Sequence, residues 1–214
     1  TIYGHTKNNK VKENSKIDPQ NTYGNTKSGV ETLLNDLYLS TSINWKIAIL
    51  RYFNPIGAHP SGIIGEDPSG IPNNLFPFIT QVALGRIRKL KIFGNDWATK
   101  DGTGIRDYIH VMDVAEGHLM ALEFLNKEKN QIIKANLGTG FGTSVLELIE
   151  TFERVNKIKI PYIFTNRREG DVSELVADNS LAKSIFNWQP KRSIDEMCED
   201  GWRWQSKNPK GFKI

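Results

Sequence analysis

Trp45–Phe53 reads WKIAILRYF, a nearly unbroken apolar run. Its length suits a strand rather than a helix, and a run without alternation predicts a parallel strand buried on both faces. Upstream, Tyr23 to Ser40 places apolar residues at Val30, Leu33, Leu34 and Leu37. That is the i, i+3, i+4, i+7 spacing of an amphipathic helix. Downstream lies a Gly/Pro-rich loop from Asn54 to Pro72, then a helix capped by Asn73 and running to about Arg86. Such a loop is too long to be idle in a compact domain.

Beyond it the sequence predicts strands at Leu90–Phe93, Ile105–Val111 and Ile132–Leu137, separated by a helix over Val114–Asn126. A helix at Val145–Val155 follows, then short strands at Tyr162–Thr165 and Leu175–Ala177 and two short closing helices. Alternation of this kind defines an α/β fold with a largely parallel sheet.

Composition narrows the class. The chain has 214 residues, 38% of them hydrophobic and 24% charged, as in ordinary soluble domains. No apolar run approaches the roughly 20 residues of a membrane helix, so no membrane association is expected. One cysteine, Cys198, excludes an internal disulfide and fits a reducing, cytoplasmic setting. Four histidines without paired spacing predict no metal site. The net charge of +4 arises from 28 basic and 24 acidic residues, scattered rather than striped, which argues against a nucleic-acid partner.

Leu137–Ser144, LGTGFGTS, sits where a dinucleotide fingerprint would, after a strand and before a helix. Gly138 and Gly140 satisfy half of G-x-G-x-x-G, but Thr143 stands in place of the third glycine. A tight strand-to-helix turn explains the stretch better.

NTYGNTKSG, Asn21–Gly29, places Tyr23 and Lys27 four apart on one helical face. A phenol is a poor base at neutral pH, and a neighbouring ammonium favours its ionised form. The pair could therefore exchange a proton with an alcohol, or it could be a chance pairing on a solvated face. YGNTKSGVE resembles the active-site helix of the extended short-chain dehydrogenase/reductases. RYFNPIGAHPSGIIGEDPSGIPNNL (51–75), IFGNDWATKDGTGIRDYIHVMDVAEGH (92–118) and RREGD (167–171), in this order, resemble the UDP-glucose 4-epimerase family.

The resemblance implies a partial Rossmann-like parallel sheet with a smaller mixed α/β substrate-binding lobe. Residues 1–55 would be a remnant of the NAD-binding domain. Residues 56–214 would be mainly the UDP-sugar lobe, with about 104–140 returning to the main sheet. The opening TIYG, without Met, reads as the end of a strand. By resemblance, a sugar-binding serine or threonine, the glycine-rich loop and on the order of 120 residues would precede it. The chain alone is then expected to be inactive and, through its exposed sheet edge, to self-associate as a homo-oligomer.

In the family's reaction, UDP-glucose and UDP-galactose interconvert by transient hydride transfer to NAD. By resemblance Tyr23 takes the proton of the sugar 4-hydroxyl and Lys27 binds the nicotinamide ribose. Phe53 packs beside the nicotinamide with Tyr52 next to it, although a core role fits Tyr52 equally. Asn54, Asn73, Asn74 and Leu75 meet the nucleotide sugar, the last three at a helix N-terminus suited to a diphosphate.

Strand alternation puts Arg106, Tyr108 and His110 on one face. Arg106 would grip the diphosphate as a fork, Tyr108 would line the same site and Phe93 would pack on the uracil, whereas His110 reads as structural. Arg168 and Asp171 carry over as a second diphosphate clamp and an acceptor for ribose hydroxyls, and Arg167 reads as surface. Leu175 falls where the family limits sugar size, so acceptance of N-acetylated sugars stays open. Another nucleotide-sugar enzyme, such as a 4,6-dehydratase, and a non-catalytic UDP-sugar-binding chain are the alternatives.

Overall fold

WKIAILRYF does form a strand, and the topology grows from it. The computed structural model describes residues 2–4, 10–40, 42–68, 70, 72–127 and 131–212. β1 (Lys46–Tyr52) runs parallel to β6 (Gln131–Leu137), in register from Lys46 opposite Gln131 to Tyr52 opposite Leu137. Against expectation β1 is not buried on both faces: Ile49 and Arg51 are buried, while Ala48 and Leu50 are half-buried. Among the described residues β1 has a strand on one side only, and Ile49 and Leu50 line an open cleft.

Two further parallel pairs join β2 (Asn54–Ile56) to β5 (Tyr108–His110), and β3 (Leu90–Phe93) to β8 (Tyr162–Thr165). A small mixed sheet sets β4 (Ile105–Arg106) between β7 (Thr143–Ser144) and β9 (Glu174–Leu175). The single strand expected over 105–111 is thus two, broken at Asp107. All but one of these pairings are parallel, as in a Rossmann-like α/β fold with a smaller mixed sheet. Residues 2–4, read as a strand end, are not strand. The Ile2 carbonyl instead accepts from the Asp18 amide at 2.9 Å; Thr1 lies outside the described residues.

The helices are α1 (Thr22–Ser40), α2 (Leu75–Ala83), α3 (Val111–Lys127), α4 (Val145–Asn156), α5 (Ser180–Phe186) and α6 (Ile194–Lys207). α4 starts with a capping box, Ser144 and Glu147 exchanging backbone and side-chain bonds. α6 starts the same way with Ser193 and Glu196 and extends to 14 residues, longer than expected. The N-cap of α2 is Asn74 rather than Asn73, and α2 ends at Ala83, short of Arg86, with Leu84 as its C-cap before Gly85, whose φ of 74° favours glycine.

Two large apolar cores result, beside a small cluster of Ile2, Tyr3 and Val11. α2, β3, α4 and α6 enclose Phe76, Ile79, Leu148, Phe152 and Met197. α3, β6 and α5 enclose Val114, Ala135, Leu137, Phe186 and Trp188, with the Trp188 indole donating to the Asp113 carbonyl at 3.0 Å. Each large side chain so buried contributes roughly 1.5–3 kcal/mol. No helix of the described residues is long and apolar enough to cross a membrane.

Candidate active site

α1 begins where the Asn21 side chain accepts from the Gly24 amide at 2.8 Å, an end-capping bond that orients the first turn. One turn on, Lys27 Nζ stands 5.2 Å from the centroid of the Tyr23 ring, so the two side chains face each other. Tyr23 is 61% exposed. Both open onto a cleft of about 460 Å³. Its walls are α1, the C-terminal end of β1 with Tyr52, Phe53 and Asn54, and a third side carrying Arg106, Asp171 and Leu175.

Eight residues read from the sequence therefore converge: Tyr23, Lys27, Tyr52, Phe53, Asn54, Arg106, Asp171 and Leu175. Phe53 and Leu175 pack on Ile2, Tyr3 and Val11 beneath the cleft. Tyr52 is half exposed and leans on His118, ring centroids 5.9 Å apart, so a core role does not describe it.

Arg106 lies 3.4 Å from Asp171 and donates to the Ile105 carbonyl at 2.8 Å. Tyr108 is a correction, because it is buried among Ile56, Ile92 and Leu148 and does not line the cleft. Burial raises its pKa, with Arg106 lowering and Asp171 raising it. His110 is fully buried, its Nε2 bonded to Asp200 at 3.3 Å and its Nδ1 accepting from the Met112 amide at 3.0 Å. Burial holds its pKa below the ordinary imidazole value against the pull of Asp200, as suits a structural histidine.

Asn73, Asn74 and Leu75 stand outside the cleft lining, the two asparagines exposed. Phe93 and Arg168 stand outside it too, but meet each other. The Arg168 guanidinium lies 3.8 Å over the Phe93 ring. Arg167, read as free surface, lies 3.9 Å over Trp97 and bonds Asp96 at 2.8 Å.

Two features escaped the sequence reading. Asp107, wholly buried, accepts from the Thr139 amide and hydroxyl, the Gly140 amide and the Ala177 amide at 2.6–3.1 Å. This carboxylate shapes the LGTG turn together with Gly140, whose φ of 77° favours glycine. Burial raises its pKa against those four bonds.

The second is the cleft floor. Arg51 donates to both Glu31 oxygens, at 2.8 and 2.6 Å, and to the Tyr3 hydroxyl and Glu13 carbonyl at 2.9 and 2.8 Å. Burial opposes the Arg51 charge, but the bonds to Glu31 and Tyr3 outweigh it and raise its pKa. An arginine inside an apolar run was the available signal, since a buried charge requires a partner.

These features define the class: a Rossmann-like α/β protein of the short-chain dehydrogenase/reductase type, with its Tyr–Lys pair on a cleft wall. A family model described as GDP-mannose 4,6 dehydratase matches residues 1–201, and the chain belongs to that family.

Within it the chain is similar to proteins named UDP-glucose 4-epimerase. That of Bacillus subtilis is 51% identical over 214 residues, all of this chain and 62% of the relative. The crystal structure from Stenotrophomonas maltophila, with bound NAD and formylated UDP-arabinopyranose, is 45% identical with a TM-score of 0.94, over 98% of this chain and 62% of that one. The Bifidobacterium longum enzyme, in complex with NAD+ and UDP, is 42% identical with a TM-score of 0.94, over 99% and 62%. The chain thus spans about 62% of the length of these relatives.

Proposed function

We propose that this chain provides the proton-transfer pair and the UDP-sugar side of a UDP-glucose 4-epimerase. The observation carrying the proposal is the facing Tyr23–Lys27 pair in one cleft with Arg106 and Asp171. Tyr23 holds and returns the proton of the sugar 4-hydroxyl. Lys27 stands one helical turn from the phenol, its ammonium 5.2 Å from the ring centroid, and has donors left for a ribose. NAD, when bound, supplies a reversible hydride acceptor for sugar C4. The donor set fits a nicotinamide ribose: an ammonium and a phenol at the cleft lip, with Phe53 as an apolar wall.

Arg106 and Arg168 bind the diphosphate, Asp171 accepts from ribose hydroxyls, and Asn54 borders the nucleotide sugar. Asn73, Asn74 and Leu75 add the free amides of the α2 N-terminus. Phe93 offers its ring to the uracil once Arg168 turns toward the phosphates. Leu175 sets the room left for the sugar, and its modest size favours acceptance of N-acetylated sugars as well. Residues 1–55 belong with the NAD side and 56–214 mainly with the UDP-sugar lobe, about 104–140 returning to the main sheet.

No complete G-x-G-x-x-G occurs in the sequence, so turnover by the isolated chain is not expected. A cytoplasmic setting is part of the proposal, supported by a buried free cysteine. So is a homo-oligomer, supported by exposed Leu33 and Leu39 on α1 and Leu119 and Leu122 on α3; a monodisperse monomer in light scattering removes it.

The decisive experiment substitutes this chain for the matched stretch of the Bacillus subtilis relative. The chimera is expected to interconvert UDP-glucose and UDP-galactose with NAD. A folded chimera that releases a 4-keto-6-deoxy product instead supports the dehydratase reading, which the family description favours. A folded chimera that does neither leaves a UDP-sugar-binding chain.

A further inference from the structure

α1 carries Tyr23 and Lys27 yet buries little. Among its 19 residues only Gly24 and Glu31 are buried, and none belongs to an apolar core. Val30 and Leu33 are 51% and 66% exposed. Helices in proteins are ordinarily held by an apolar face; here Leu34, Leu37 and Tyr38 are only half-buried, and the one buried side chain is that of Glu31.

Glu31 stands four residues after Lys27 and eight after Tyr23, on the same stripe of the helix. Its two oxygens receive the Arg51 Nε and Nη2 donors at 2.8 and 2.6 Å, with Lys134 of β6 at 4.0 Å. The remaining Arg51 nitrogen, Nη1, is fixed to the Tyr3 hydroxyl and the Glu13 carbonyl. Tyr3 in turn donates to Asn136 of β6 at 2.5 Å. The guanidinium is thus locked before α1 meets it. A forked contact fixes angle as well as distance, whereas an apolar stripe lets a helix roll.

We propose that the Arg51–Glu31 pair is a positioning device that sets the rotation of α1 on β1, and so aims Tyr23 and Lys27 into the cleft. The inference rests on the proton-transfer role proposed above for those two residues. Neither Arg51 nor Glu31 touches the reacting atoms in this scheme; both act through the helix.

The test uses the chain itself, with the variants Glu31→Gln, Arg51→Met and Arg51→Lys. Hydrogen exchange is read along α1, α4 and α6, and fluorine NMR of fluorotyrosine-labelled chains reads Tyr23, assigned by its loss in Tyr23→Phe. In Glu31→Gln and Arg51→Met, α1 amides are expected to exchange on the order of 100-fold faster, the scale of a broken buried pair. α4 and α6 stay unchanged, and the single Tyr23 resonance broadens or splits. Arg51→Lys restores part of both effects.

Unchanged α1 exchange, or equal acceleration in α4 and α6, overturns the proposal, because the pair is then absent as a tether or merely global. UDP affinity, held by the opposite wall, is expected to stay within about threefold of wild type, well under the tenfold of 1.4 kcal/mol. If wild-type chain fails to bind UDP while α1 responds as described, the functional reading falls and the tether stands.

Discussion

The wall formed by α1 and the body formed by α2, α4 and α6 are built on opposite principles. α4 and α6 begin with capping boxes and press Leu148, Ile149, Phe152 and Met197 into a closed core. α1 has a single side-chain cap at Asn21, exposes Leu33 and Leu39 and is joined to β1 by an ion pair. Cores resist because area and packing are lost together when a side chain is cut. An ionic tether is directional, and it permits a wall to border an open cleft. The contrast separates what keeps the protein folded from what points its reactive groups.

The largest effect expected is in the body. Phe152→Ala should cost about 3–5 kcal/mol, read as a shift of the denaturant midpoint. Leu33→Ala on α1, at an exposed position, should stay within about 0.5 kcal/mol. Equal losses at the two sites would erase the contrast.

Next comes the nucleotide side. If Arg106 grips the diphosphate as proposed, Arg106→Ala removes a charge-assisted contact of about 1.5–3 kcal/mol, so UDP affinity should fall roughly 10- to 150-fold in calorimetry, with Arg106→Lys recovering only part.

The body also carries a pH signature. His110 has a folded pKa below its unfolded one. Its contribution is complete above the unfolded value, about 6.5, and is lost as the pH falls from there toward the folded value. Thermal melts across that window should show a falling Tm, and His110→Gln should flatten it.

The smallest effect concerns the sugar. Leu175→Tyr in the chimera described above should lower kcat/KM for N-acetylated UDP-sugars about 10-fold or more relative to UDP-galactose, the scale of a modest steric discrimination. An unchanged ratio removes Leu175 from the sugar wall.

What the sequence revealed follows from the range of the forces involved. The Tyr23–Lys27 pair is set by four residues of helix, so local spacing was enough. The stripe Val30–Leu33–Leu34–Leu37 was equally clear, but amphipathicity states that a face is apolar and not what covers it. Leu34 lines the cleft and Leu33 faces solvent. Asp107 draws its partners from residues 139, 140 and 177, and no window around 105–111 contains them. Tyr108 was placed in the site by family resemblance, and the alternation that set it on one face with Arg106 failed because Asp107 interrupts the strand.

That interruption has a mechanical corollary. Just before it Arg106 is zipped to Leu175, and just after it Tyr108 is zipped to Asn54. On the function proposed above, the guanidinium meant for phosphate and the leucine meant for the sugar therefore ride on one three-stranded sheet, joined at its end by the Asp107 carboxylate. Room made there for a bulkier hexose would move the anion grip as well, so breadth of sugar choice and tightness of nucleotide hold would trade against each other through backbone rather than through side-chain contact.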